Sequence, residues 1–176
     1  IGYHSCQKDP INIWLPSGLS IPAVTSSAQS GMSVALGGMN GSILAVADPG
    51  ANTVRLFDQV GSEWIQRGQA IEGPPNSQFG LSISLSGEST TAVKNPFTSP
   101  TITLAVMGIG VASIYRCVTQ GCVLIGDQLT GAFGRSIELS RDGNVVVIGG
   151  EPLSFSFDEL QGSVQVYKRG SDGWLR

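Results

Sequence analysis

Apolar and polar positions along this chain alternate in short runs with a period of two. Ser33-Val34-Ala35-Leu36 and Val164-Gln165-Val166-Tyr167 are the clearest, and that spacing sends successive side chains to opposite faces of an extended strand. No segment carries a sustained helical stripe. The runs also recur in a fixed order. Gly31-Met-Ser33-Val34-Ala-Leu36, Gly80-Leu-Ser82-Ile83-Ser-Leu85 and Gly134-Arg-Ser136-Ile137-Glu-Leu139 begin three segments. Each is followed by an apolar run starting at Leu44, Leu104 or Val146, then by a third run starting at Val54, Val111 or Val164. A fourth run reads Trp64 to Ile71 in the first segment and Cys122 to Leu129 in the second, and Trp174 opens it in the third. Trp14 to Ile21 is a further copy of this fourth run.

A repeat of roughly fifty residues containing four short strands is the size of one propeller blade, a four-stranded antiparallel sheet that buries its faces only against neighbouring blades. The expected fold is therefore all-β, about three such blades, forming part of a larger propeller or assembly. The divisions are 1–27 for the N-terminal segment, 28–73 for the first repeat, 74–131 for the second and 132–176 for the third, which stops before its fourth strand is complete. The second repeat carries an insertion rich in Ser, Thr and Pro, from Ser86 to Thr101, in its first hairpin. Three blades are fewer than the four to eight of ordinary propellers. Terminal faces around Val146, Ile148 and Val166 are thus expected to stay open, and the chain to associate with itself or with the rest of its polypeptide.

Composition agrees with many strands and tight turns: 24 glycines, 41% hydrophobic and only 13% charged residues. The net charge of −3, with no run of Lys or Arg, argues against nucleic acid as a partner, because a basic face supplies most of that affinity. No apolar stretch reaches the ~20 residues that cross a bilayer as a helix, so no membrane span is expected within this chain. Asn40-Gly41 and Asp142-Gly143 mark hairpin turns. Asn40-Gly41-Ser42 is also an N-glycosylation sequon, making Asn40 a glycosylation candidate.

Cys117 and Cys122 bracket the turn between the third and fourth strands of the second repeat, where facing positions lie within disulfide reach. They form either a local bridge or a pair of half-buried thiols. Cys6 is left over, free or paired with another chain. His4 is the only histidine and lies outside the repeats, which removes a Ser/His/Asp triad and a multi-histidine metal site together. Asp158 with Glu159, and Asp48 with Asp58, are the remaining carboxylate pairs. Sequence neighbours point apart in a strand, and no catalytic residue is assigned. Trp14 and Trp64 share one position in the repeat and are read as packing residues.

Phe79-Gly80-x-Ser82, Phe133-Gly134-x-Ser136, the turn Leu139-Ser-Arg-Asp142-Gly143-Asn144 and Gly149-Gly-Glu-Pro152 together resemble the FG-GAP repeats of integrin-alpha-type β-propellers. The first repeat departs most, with Ser30-Gly31 in place of Phe-Gly. The resemblance spans Trp14 to Trp174. It implies a secreted or cell-surface, non-enzymatic adhesion or scaffold module that binds protein partners through loops and blade edges. Repeats of this kind often hold calcium in the first hairpin, but the loops here lack the several oxygen ligands and closing carboxylate that calcium takes. Calcium is not carried over, Asp142 is read as a turn residue, and no cofactor is expected. The alternatives are a glycan-binding or glycan-processing propeller and an accessory subunit of a larger complex. A glycan would be met by Lys94 and Phe97 in the inserted loop and by Phe155, Phe157 and Asp158 in the loop of the third repeat, where the competing and favoured reading of Phe155 and Phe157 is packing of a long loop onto a neighbouring blade.

Overall fold

The computed structural model describes residues 18–87, 101–131, 134–150, 162–171 and 173–176. The first repeat forms β1 (Val34–Gly37), β2 (Ile43–Asp48), β3 (Thr53–Val60) and β4 (Glu63–Glu72). The second forms β5 (Ser82–Leu85), β6 (Ile102–Gly108), β7 (Val111–Val118), β8 (Gly121–Leu124) and β9 (Leu129–Thr130). The third forms β10 (Ser136–Leu139), β11 (Val145–Gly150), β12 (Ser163–Arg169) and β13 (Trp174–Leu175). Each repeat is a separate antiparallel sheet whose strands lie side by side in chain order. The second sheet counts five strands because β8 and β9 both pair with β7. Together they fill the place that β4 fills alone, interrupted near Gly126, whose φ is +68°.

The registers of the three sheets are equivalent. Val34 stands opposite Val46, Ile83 opposite Val106 and Ile137 opposite Ile148. Period-two alternation then gives every sheet two faces, and the sheets stack through them. The back of the first sheet, with Ala45, Val54 and Leu56, packs on the front of the second, with Ile83, Leu104 and Val106. The back of the second, with Ala105, Met107 and Ile114, packs on the front of the third, with Ile137, Val146 and Ile148. Both joints exclude water from these side chains, which are buried on each side.

One expectation is corrected here. Val146 and Ile148 are wholly buried against the second sheet, and the open apolar face consists of Val147, Val164 and Val166. The pleat decides this, since a one-residue step along β11 reverses the face. The hairpin turns also differ from one another. Asn40 and Gly41 both take positive φ, whereas at Asp142-Gly143 only Gly143 does.

Phe79 is fully buried and meets Tyr115 edge to face, with ring centroids 6.3 Å apart. A Cβ on Gly80 would stand 2.8 Å from the Ala47 Cβ, so the glycine is required where the second sheet begins against the first. The equivalent Phe133 lies outside the described residues, as do Glu151 and Pro152.

Candidate functional site

β1, β5 and β10 are the leading edge strands of their sheets. Just before β1 the Ser33 carbonyl accepts from Ala47 N–H at 3.0 Å, so the amide of the next residue, Val34, points away from β2 toward the open edge. Such edge amides are ordinarily a liability. On β5 and β10, serines on the back of the preceding sheet cap three of them. Ile83 N–H donates to Ser33 Oγ at 3.1 Å, Ile137 N–H to Ser82 Oγ at 3.2 Å and Leu139 N–H to Ser84 Oγ at 3.0 Å. Turns add to the joint. Gly38 N–H donates to the Ser86 carbonyl and Gly87 N–H to the Arg141 carbonyl.

Asn52 fixes the passage from the first sheet to the second. Its φ of +59° is left-handed, a conformation Asn tolerates better than most residues. Its side-chain N–H2 donates to the carbonyls of Gly73 and Pro74, both at 2.8 Å, and its Oδ1 accepts from Ser77 Oγ and Phe79 N–H. This residue escaped the sequence reading, and a lone Asn after Pro-Gly-Ala gives no signal of that role.

Asp48 and Asp58 are held apart as separate ion pairs. Asp48, wholly buried, takes a two-point contact from Arg55 at 2.8 and 2.9 Å. Arg55 also donates to the Pro22 carbonyl and lies over the Phe57 ring. Asp58 takes the Arg67 guanidinium. Asp48 pairs with Thr53 at one end of the β2–β3 ladder and Asp58 with Ile43 at the other, about 16 Å apart at strand rise. The two carboxylates therefore do not form an acid/base pair. Burial pushes the Tyr115 phenol above its ordinary 10.0, against a smaller opposite effect of its bond to Ser113.

Cys117 and Cys122 face each other across β7 and β8 and are joined as a disulfide, with Cα atoms 4.0 Å apart. Asn40 is exposed at the β1–β2 turn. The Asp142 carboxylate accepts from Ser140 Oγ, Asn144 N–H and Asn144 Nδ2. These bonds, the Ser140 hydroxyl first, hold its pKa below the ordinary 3.8. Among the described residues no cluster of three His, Cys, Asp or Glu side chains is placed to hold a metal. No described helix is long and apolar enough to cross a membrane.

Lys94, Phe97, Phe155, Phe157 and Asp158 lie outside the described residues, together with His4, Cys6, Trp14 and Glu159. Trp64 borders a cavity of about 290 Å³ on the front of the first sheet, shared with Leu19, Ile21, Val34, Leu44 and Val46. Compared with known protein families and with characterised proteins, the chain matches none of them.

Proposed function

We propose that the three sheets are consecutive blades of a β-propeller-type array and that the chain is a non-enzymatic adhesion or scaffold module, secreted or displayed at the cell surface. The observation that supports the reading most is the tandem stack itself. Three sheets of one register are joined through the same apolar faces and the same serine caps. Such a body holds loops of varied sequence on a rigid frame, the arrangement in which loops carry recognition. The local disulfide fits an oxidising compartment.

Contacts to the ligand are assigned to Lys94, Phe97, Phe155, Phe157 and Asp158, the residues that a glycan would also meet. The test is cell attachment to surfaces coated with the disulfide-intact chain. Replacing Phe155 and Phe157 with Ser, or Lys94 and Phe97 with Ala, should lower attachment about tenfold, as loss of aromatic or basic anchors does at interfaces. The far-ultraviolet spectrum should stay unchanged. Attachment no greater than to an inert coating would overturn the adhesion reading. Competition by free oligosaccharide would move the assignment to glycan recognition.

A further inference from the structure

The stack is built from one joint used twice, and each end of it presents one half of that joint. On the front of the first sheet Val34 and Leu36 are 58% and 61% exposed. They occupy the register places of Ile83 and Leu85, and of Ile137 and Leu139, which are buried in the internal joints. On the back of the third sheet Val164 and Val166 are 71% and 48% exposed. They stand where Val54 and Leu56, and then Ala112 and Ile114, are buried.

The polar half of the joint is also present at both ends. Ser136 repeats Ser33 and Ser82, and Glu138 stands at the place of Ser84. Among the described residues nothing donates to Ser136 Oγ or Glu138, and nothing accepts from Val34 or Leu36 N–H.

A third observation concerns the outer strands. Gly18, Gly68 and Gly126 all have positive φ. Each lies on the outer hairpin of the sheet ahead of it: Gly18 on Ser62, Gly68 on Gln120 and Gly121, Gly126 on Gly173 and Trp174. Gly18 to Ile21 therefore already sits where the outer strand of a sheet preceding the first would run.

We propose that two copies of this chain associate head to tail, the back of the third sheet of one packing on the front of the first sheet of the other. The Ser136 hydroxyl and the Glu138 carboxylate accept from the second copy's Val34 and Leu36 amides. A second copy is the fitting occupant because it necessarily carries the complementary half, and the contact continues the joint already formed twice within the chain. The carboxylate at position 138 makes the second cap a charge-assisted bond. This inference concerns the stack and is independent of which ligand the loops bind.

The test is sedimentation velocity of the disulfide-intact 176-residue chain up to about 100 μM, a range that detects weak self-association. The chain should sediment progressively faster with concentration. Val34→Arg, blocked at the front, and Val166→Arg, blocked at the back, should each be monomeric. Their equimolar mixture should form a one-to-one dimer and nothing larger. Mixing Val34→Cys with Ser136→Cys, each also carrying Cys6→Ser, under mild oxidation should give a cross-linked heterodimer that neither variant gives alone, a readout that adds no charge to the apolar faces. A wild-type monomer throughout, association that both Arg variants retain, or a mixture without heterodimer or cross-link would overturn the proposal. Loop-dependent cell attachment would be untouched by those results, so the two readings fail separately.

Discussion

Ile137 donates its backbone N–H to the hydroxyl of Ser82 at 3.2 Å, across 55 residues of sequence and from one sheet to the next. The same relation joins Ile83 to Ser33 at 3.1 Å. A sheet edge that would otherwise be open to water or to a foreign strand is closed by a side chain of the preceding repeat. The Gly-x-Ser motif thus ties the repeats into a stack.

Replacing Ser82 with Ala leaves the Ile137 amide at the joint without its acceptor. A lost bond of this kind costs about 1 kcal/mol, and more where the amide stays dry. Urea unfolding should show a loss of this size. The Ser82→Ala and Ser84→Ala pair should lose roughly twice as much, since Leu139 N–H then loses its acceptor as well.

Asn52→Ala removes the bonds to Gly73, Pro74, Ser77 and Phe79 and places a less tolerant residue at positive φ. A loss of about 3 kcal/mol is expected. Asn52→Gly keeps the backbone freedom and loses only the bonds, so it should be milder by about 1 kcal/mol. Denaturant midpoints of the two variants measure the difference. Equal losses would remove the backbone contribution.

Non-reducing peptide mapping should recover Cys117 and Cys122 as one linked peptide from protein matured in an oxidising compartment. Closing so short a loop stabilises by ~2 kcal/mol in the chain-entropy account. Reduction should therefore lower the unfolding midpoint without dispersing the sheets. Recovery of both as free thiols would contradict the bridge and the compartment together.

Asp142 has a folded-state pKa below its ordinary 3.8 because Ser140 and Asn144 donate to the carboxylate. Its contribution is complete above that ordinary value and is lost as the pH falls through the depressed one. Acid unfolding of Asp142→Asn should therefore be less steep in that window than that of the unsubstituted chain. The carboxylate is fully exposed, and the effect should shrink with added salt.

The order of four strands per repeat was legible because period-two runs recur after the same markers. The placing of Cys117 and Cys122 on facing hairpin strands was legible, but it left a bridge and two half-buried thiols both open until the structure joined them. The open face of the third sheet was misjudged at Val146 and Ile148, while Val166 lies open as expected. Val146, Val147 and Ile148 are alike as residues, and only the position of the neighbouring sheet tells the inward pair from the outward one. The capping role of Ser33 and Ser82 was hidden although the motif was plain, because a cap is defined by the offset between two sheets. Asn52 left no trace, since its partners lie over twenty residues away in a connection with no periodicity.

Amide hydrogen exchange resolved by residue tests the serine-capped stack most directly. In dilute protein, Ile83, Ile137 and Leu139 should exchange slowly although they lie on leading edge strands, while Val34 and Leu36 on the corresponding edge of the first sheet exchange fast. Ser82→Ala should speed Ile137 by at least fivefold, the factor that corresponds to a lost bond of about 1 kcal/mol, and by more than it speeds Ile83. Fast exchange at all five amides, or an Ile137 rate that Ser82→Ala leaves unchanged, would contradict the account.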